Sequence, residues 1–306
     1  MNLNTLVKVI FGILLLGLCW WGYGFYTNKD NISSSPISEA TDLGASCNAD
    51  KEIAEALAKL KNPELKPVPY YTQAKDGQKQ IALTFDGLPR KSTADRLLDL
   101  LEKEQVKAMF FVEGANALRS KETIAAIEKK GQRVGNYTFI GLAALETAPQ
   151  EVVVNELCKT QKALQLTANL GSDMFKAPRT RYTYKLLTAA AACGLKNAVH
   201  TNVYVNLDSL KSDAAAEAFM ASLPAGSIVS FVTNHPVEVP AKKDAKAEPV
   251  PAFDKQPSVT LTKKAAVKQE DIVAAAARLI AAAKKQELQI VSVEAMPKQM
   301  PEQNSK

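Results

Sequence analysis

Residues 81–87 read IALTFDG, in which a short apolar and β-branched run leads directly into an acidic residue and a glycine. Such a run has the length and composition of a buried β-strand. Residues 93–105 then place leucines at helical spacing, and KAMFFV at 107–112 forms a second apolar run. A strand, a helix and another strand in this order are typical of a βαβ unit with parallel strands.

The same alternation continues along the chain. It predicts an α/β fold, in which a parallel sheet covered by helices is either open or closed into a barrel. Strands are predicted at 81–85, 107–112, 132–139, 197–205, 226–232 and 288–293, and helices at 93–105, 121–130, 150–166, 184–193, 214–222 and 271–285.

The N-terminal region contains an uncharged run, VIFGILLLGLCWWGYGFYTN, at residues 9–28. Its length of 20 residues suits one crossing of a bilayer, and the aromatic residues at its far end are typical of a membrane interface. A cleaved signal peptide is the competing interpretation, but bulky rings stand where small residues would precede a cleavage site. The sequence therefore predicts residues 1–28 as a single-pass anchor in a bacterial-type inner or plasma membrane, with the remainder on the extracytoplasmic side.

Two segments interrupt the regular pattern. Residues 29–69 are Ser-rich at first and Pro-rich at the end, and they predict a flexible tether that contains a short helix at 49–61. Residues 236–269 are rich in Pro, Lys and Ala and predict a disordered insertion. The barrel domain is accordingly placed at 70–297, and 298–306 is interpreted as a tail.

Charge and cysteine content exclude two classes of site. The formal net charge of +6 is spread without an aromatic-interleaved basic patch, so no nucleic-acid binding is predicted. The chain has two histidines and four cysteines without a CxxC pair, which excludes a Cys/His zinc cluster. Cys158 and Cys193 fall in predicted helices and are interpreted as buried thiols in preference to a disulfide, so the cysteines do not settle the redox compartment.

Several fragments resemble, in order, the motifs of the polysaccharide deacetylase family, the carbohydrate esterases with a NodB-type domain. They are IALTFDG at 81–87, KAMFFVEG at 107–114, RVGNYTFIGLAAL at 133–145, EVVVNELCKTQKAL at 151–164, FKAPRTRYTYKLLTAAAACGLK at 175–196 and LPAGSIVSFV at 223–232. The resemblance implies a distorted (β/α) barrel whose site lies at the carboxyl ends of the strands. It also implies a divalent ion such as zinc, held by an aspartate and two histidines, and hydrolysis of N-acetyl groups on a polysaccharide or peptidoglycan-type glycan.

The chain departs from this family at the metal site. Asp86 matches the family's base and is kept as the candidate catalytic remnant. Gly87, Tyr137 and Gly141 stand where the family has its metal ligands, and Val232 stands near the position of the acid histidine. Glycine offers no ligand atom, and a neutral phenol is a poor ligand beside imidazole. The sequence therefore predicts no metal cofactor and a pseudoenzyme more readily than an enzyme.

The candidate substrate contacts are the aromatic, hydroxyl and basic side chains of the second and third motifs. Tyr137 either stacks on a sugar ring or fills the space of the absent ion. The basic residues either bind an anionic glycan or are ordinary solvated cations. The full set is Tyr137, Thr138, Lys176, Arg179 and Arg181.

Asp86 and the two histidines each admit two interpretations. Asp86 either orients a sugar hydroxyl, or it has a structural role in which it caps the turn at 90–93 or pairs with a nearby cation. His200 is interpreted as a packed strand residue. His235 reaches the acid position only through a slipped alignment.

The sequence is compatible with three functions. The first is a membrane-anchored, non-catalytic homologue that binds a glycan or a protein partner through the old cleft. The second is an active N-deacetylase with a rearranged site. The third is a scaffold subunit of a membrane complex that docks through the helix at 49–61 or through the insertion at 236–269.

Overall fold

The computed structural model describes residues 47–74, 79–168, 172–234 and 269–303. The predicted anchor at 9–28, the first part of the tether, His235 and nearly all of the predicted insertion lie outside these ranges. Within the described residues, no helix has the length and apolar character needed to cross a membrane.

In the part of the chain that the structure describes, ten short strands form one sheet, in the order β10-β1-β6-β5-β4-β3-β2-β8-β7, and β9 pairs with the first part of β2. All pairings among these described strands are parallel except that of β1 with β10. The strands are β1 Tyr70–Tyr71, β2 Gln80–Asp86, β3 Ala108–Val112, β4 Arg133–Asn136, β5 Met174–Phe175, β6 Asn197–Val199, β7 Val203–Tyr204, β8 Ile228–Val232, β9 Gln289–Val291 and β10 Lys298–Gln299.

Helices cover the outer face of this sheet. Apolar side chains from the helices and from every second strand residue form two large buried clusters there, and a third cluster fills the inner face. The helices are α1 Asp50–Lys59, α2 Lys91–Lys103, α3 Gly114–Arg119, α4 Lys121–Lys129, α5 Gln150–Ala168, α6 Tyr184–Ala192, α7 Asp213–Ser222 and α8 Gln269–Lys285.

The strand predicted at 197–205 is in fact two strands with different neighbours. β6 lies between β1 and β5, whereas β7 lies beside β8 at the far edge. Asn202 explains the break, because its side chain accepts a hydrogen bond from the Ile228 amide at 2.7 Å and donates one to Ser227 at 3.0 Å. Only three residues join β6 to β7, and each extended residue spans at most about 3.6 Å. The two flanks of the sheet must therefore approach each other, which makes the fold an α/β half-barrel, as the predicted distorted barrel requires.

The short helix predicted at 49–61 is present as α1, but it belongs to the barrel domain. Ile53, Leu57 and Leu60 pack on the buried cluster shared with α5 and α6. Glu52 also accepts a hydrogen bond from Lys162 of α5 at 2.7 Å. The apolar face that predicted a docking helix is thus covered by the protein itself. The C-terminal segment likewise contributes β10, so it is not a tail throughout.

Cys158 and Cys193 form a disulfide that joins α5 to the end of α6. The interpretation of these two residues as separate buried thiols is wrong. Each cysteine was correctly placed in or at the end of a helix, but the packing of the two helices that brings the sulfur atoms together is a tertiary feature. Among the described residues, Cys47 is a free cysteine and is buried.

Candidate functional site

The carboxyl ends of the central strands converge on a buried ion pair. Asp86 is the last residue of β2, and Lys176 follows β5 by one residue. Since alternate strand residues face opposite sides of a sheet, Lys176 faces the same side as Met174, which belongs to the inner cluster. The exposed fraction is 0% for Asp86 and 1% for Lys176.

The Lys176 ammonium is surrounded by oxygen atoms of two strands, β2 and β8. Its Nζ lies 2.9 Å from Asp86 Oδ1 and 2.7 Å from Oδ2, and it donates to Thr84 Oγ1 at 3.2 Å and to Ser230 Oγ at 3.0 Å. Oδ2 is in ionic contact but accepts no well-directed hydrogen bond among the described residues. The sequence alternative in which Asp86 pairs with a nearby cation is therefore confirmed.

Two aromatic rings complete the enclosure of the ammonium. Its Nζ lies 5.6 Å from the ring centroid of Phe111 and 5.4 Å from that of Tyr204, within the range of cation–π attraction. Burial lowers the pKa of Lys176 from its ordinary value, and the charge of Asp86 partly offsets this effect. Lys176 was predicted as a substrate contact, but an amine enclosed in this way has no surface to offer a ligand.

The residues at the family's metal positions do not fit a divalent ion. Gly87 and Gly141 supply no donor atom, and Tyr137 is 2% exposed within the inner apolar cluster. Burial raises the pKa of Tyr137 well above its ordinary value, so its phenol stays neutral. An ammonium already neutralises Asp86. Among the described residues, no group of three or more His, Cys, Asp or Glu side chains is arranged to hold a metal.

Gly87 occupies a position that a larger residue cannot share. Its φ is +91°, and an added Cβ would lie 2.7 Å from the Asn234 Cβ and 3.0 Å from the Asn234 amide nitrogen. An aspartate at this position, as the family has, would meet the same obstruction.

We expect Gly87→Ala to destabilise the fold more than a matched variant that suffers backbone strain alone. Gly194 is that control, because its φ is +80° and nothing lies within 4 Å of an added Cβ. The overpacking at Gly87 should cost about 1–3 kcal/mol beyond the loss caused by Gly194→Ala. Urea unfolding of both variants measures the difference, and equal losses would show that Asn234 moves aside freely.

Tyr137 and Thr138 are interior residues of the second-motif loop. Tyr137 packs with Phe111 and Val199, so no ring face is open for a sugar to stack on, and the structure favours the interpretation that it fills space. Thr138 is fully buried with φ +62°, and its hydroxyl accepts a hydrogen bond from the Leu142 amide at 2.8 Å. Neither side chain is placed to touch a ligand.

Arg179 and Arg181 lie in the third-motif loop and reach solvent. Arg179 is exposed and has a left-handed backbone with φ +47°. Arg181 is partly exposed, and its Nε lies 3.5 Å from Glu146 Oε1. Of the five predicted contacts, only these two present a side chain to a ligand at the surface.

Two carboxyl groups that the sequence did not single out hold the motif loops in place, of which Glu113 is buried and Glu156 partly buried. Glu113 follows β3 and accepts hydrogen bonds from the Leu88 amide at 2.8 Å and from Asn234 Nδ2 at 3.3 Å. Glu156 of α5 accepts from the amides of Phe139 and Ile140 at 2.9 and 3.2 Å. Burial raises the pKa of both carboxyl groups. The signal for Glu113 was its place directly after the apolar run KAMFFV, where a strand delivers its next residue to the site.

Glu113 should give the stability of the fold a pH dependence of known sign. Because its folded-state pKa is raised, the folded protein binds more protons than the unfolded chain, and stability is lost as pH rises through the folded-state pKa. Glu113→Gln removes this loss, so we expect the variant to gain on wild type as pH rises from about 4.5 toward neutrality. Urea unfolding across this pH range measures the gain. Glu113→Ala, which lacks the acceptor at every pH, controls for the lost hydrogen bonds, and a constant difference between Glu113→Gln and wild type would contradict the assignment.

The rim of the site also fixes both ends of the segment that the structure does not describe between 234 and 269. Asn234 Nδ2 donates to the Leu88 carbonyl at 2.7 Å. Gln269 donates to the Thr233 carbonyl at 3.0 Å and accepts from the Arg90 amide at 2.8 Å. The chain thus leaves and re-enters the described structure beside the loop that follows β2.

His200 is a packed residue next to the site. It follows β6, is partly buried, and its ring lies 6.1 Å from that of Tyr70 and 5.9 Å from that of Tyr182, in edge-on geometry. Burial lowers the pKa of His200. The ring cluster accounts for its packing, in agreement with the sequence interpretation.

Comparison with known proteins gives the same family as the motifs. Residues 73–198 match the family model described as polysaccharide deacetylase. A peptidoglycan-N-acetylglucosamine deacetylase, PgdA, of Listeria monocytogenes is 34% identical over 113 residues, which cover 37% of this chain and 24% of the relative. A chitooligosaccharide deacetylase of Sinorhizobium fredii is 29% identical over 171 residues, or 55% of this chain and 79% of the relative.

The chain spans about a quarter of the length of the first curated relatives that it matches. Among solved structures, a family 4 carbohydrate esterase described as a pseudoenzyme from Bacillus anthracis superposes with a TM-score of 0.54, at 17% identity, over 76% of this chain and 70% of the other. That likeness concerns the fold alone. The family model and these relatives identify residues 73–198 as a polysaccharide deacetylase domain, of the NodB-homology, carbohydrate esterase family 4 type.

Proposed function

We propose that this protein is a non-catalytic, membrane-anchored member of the polysaccharide deacetylase family that binds a cell-envelope glycan through the old catalytic cleft. The observation that carries the proposal is the buried pair of Lys176 and Asp86. Its ammonium lies 2.7 Å from the carboxylate that the family uses as a base.

Hydrolysis of an N-acetyl group makes three demands on a site: an activated water, stabilisation of the oxyanion, and a proton for the leaving amine. Asp86 is fully buried and neutralised, so it has no access to a water molecule in the cleft. Gly87, Tyr137 and Gly141 offer no ion-binding set, and Val232 stands near the position of the proton donor. Each of the three demands therefore lacks a residue to meet it.

Location in the envelope is supported by two independent features. The uncharged run at 9–28 has the length of a single membrane crossing. The disulfide between Cys158 and Cys193 is typical of proteins in oxidising compartments. The barrel would then face the extracytoplasmic side, where a peptidoglycan-type glycan is within reach. Docking of a partner through α1 is less favoured, because α1 packs on its own domain.

The test is to assay acetate release and metal content on the full-length chain in detergent. We expect substoichiometric zinc, and no acetate above a buffer blank from N-acetylated glycans with or without added zinc or cobalt, while an active family member releases acetate in parallel. Sedimentation with an insoluble N-acetylated glycan should retain the protein. Stoichiometric zinc, or acetate release that Asp86→Asn abolishes in a folded variant, would support the rearranged deacetylase instead. Failure to sediment with any glycan would leave the scaffold function.

A further inference from the structure

Glu113 follows the strand that lies between two of the family's ligand positions. β3 ends at Val112, directly before it, and Glu113 is 4% exposed. On one side of this strand end, the Gly87 amide donates to the Phe111 carbonyl at 2.8 Å. On the other side, the Tyr137 amide donates to the Val112 carbonyl at 3.0 Å. The strand that separates Gly87 from Tyr137 is therefore the one that delivers the Glu113 carboxyl group.

The Glu113 side chain fills the space beside both glycines at the family's ligand positions. A Cβ added at Gly87 would lie 3.0 Å from Glu113 Oε1. A Cβ added at Gly141 would lie 3.4 Å from Glu113 Cγ and 3.8 Å from Oε1. Because every ligand side chain begins at its Cβ, an aspartate at 87 or a histidine at 141 would begin in contact with Glu113. One carboxyl group thus borders both positions.

Two hydrogen-bond donors converge on this carboxyl group. The Leu88 amide donates to Oε2 at 2.8 Å, and Asn234 Nδ2 donates to Oε1 at 3.3 Å. Converging N–H groups attract an anion, whereas a metal ion requires lone pairs directed at it. The two donors belong to the loops that follow β2 and β8, so Glu113 joins three strand ends through hydrogen bonds.

We propose that the Glu113 carboxyl group occupies the position of the family's metal centre, and that this position is built to hold an anion where the family holds a cation. The glycines at 87 and 141 leave room for the carboxyl group, and the Leu88 and Asn234 donors fix it there. The chain's departure from its family is then a reversal of polarity at one place in the fold, in addition to the loss of ligands.

The test removes the carboxyl group and supplies a free one. Glu113→Ala leaves the Leu88 and Asn234 donors facing a cavity of a size that suits formate. In the full-length chain in detergent at neutral pH, the urea midpoint of Glu113→Ala should rise with formate concentration more steeply than with chloride, because a ligand of the folded state stabilises it. Zinc should leave that midpoint unchanged. Glu113→Gln is the matched control, since its side chain fills the cavity, and formate and chloride should act on it equally.

Three results would overturn the inference. They are a midpoint of Glu113→Ala that zinc raises, an equal response of Glu113→Ala to formate and chloride, and an equal preference for formate in Glu113→Gln. If Glu113→Ala is unfolded in chloride, formate should restore its cooperative unfolding, and failure to do so would count against the anion site in the same way.

A second measurement locates the carboxyl group without any added ion. Gly141→His should lower the urea midpoint less in the Glu113→Ala background than in wild type. The backbone strain at 141 is common to both backgrounds, whereas the contact with Glu113 exists only in wild type. Equal losses would show that Glu113 does not fill the space beside Gly141. Glycan binding plays no part in these outcomes, so their failure would leave the proposed function in place.

Discussion

Replacing Lys176 by methionine should lower the free energy of unfolding by about 3–5 kcal/mol, since loss of one partner leaves the other as an uncompensated buried charge. Asp86 would keep its carboxylate at 0% exposure, with the Thr84 hydroxyl as a weak donor at 3.4 Å from Oδ1. Urea unfolding of wild type and variant at neutral pH measures the loss. The same change at an exposed pair provides the matched control.

Lys91 and Asp95 form that exposed pair. Their ionic contact is also 2.7 Å, but their side chains are 55% and 45% exposed. Lys91→Met should cost less than about 1 kcal/mol, because water screens surface pairs. Adding Asp86→Asn to Lys176→Met should recover much of the loss by removing the orphaned charge. If Lys176→Met and Lys91→Met proved equally mild, the buried pair would not be the element that holds β2, β5 and β8 together.

Removing the disulfide should cost about 4 kcal/mol. The cross-link closes a loop with a sequence separation of 35, and the chain-entropy relation for a loop of that length gives this value. The double variant Cys158→Ser, Cys193→Ser, compared with oxidised wild type by urea unfolding, measures the loss. Because α1 packs on the cluster shared by α5 and α6, its protection from proteolysis should fall with it.

A reductant should reproduce this loss in wild type and have no effect on the double variant. Cys47→Ser is the control for the remaining thiol, and this variant should respond to reductant as wild type does. A double variant as stable as the oxidised protein would mean that the helices hold their positions without the cross-link.

The sequence was sufficient to predict the bounds of the helices and strands that have a clear apolar pattern. β2, β3, α2 and α5 were all predicted to within about two residues of their observed ends. β1, β5 and β10 were missed, because a strand of two residues is too short to show alternation. The disulfide was missed because cysteine spacing does not reveal which two helices lie side by side.

The sequence predicted where the site lies, but it predicted the roles of the residues there only in part. The motifs correctly placed Asp86 and the third-motif loop at the carboxyl ends of the strands. Lys176 was interpreted as a candidate substrate contact because β5 was not recognised, and with it the alternation from Met174 that turns the lysine inward. Glu113 and Glu156 were overlooked, since their importance lies in which amides they accept from, and those amides are distant in sequence.

The anchoring of Asn234 and Gln269 affects how much inserted sequence the barrel can tolerate between them. Both ends of the intervening segment are bonded to the same small region of the barrel. The entropic cost of a loop grows slowly with its length, by only about 0.6 kcal/mol for each doubling. A flexible connection inserted between these two residues can therefore be lengthened with little further entropic cost to the barrel. The position between Asn234 and Gln269 is therefore suited to the insertion of additional sequence, and it lies beside the loop that follows β2, at the carboxyl ends of the strands.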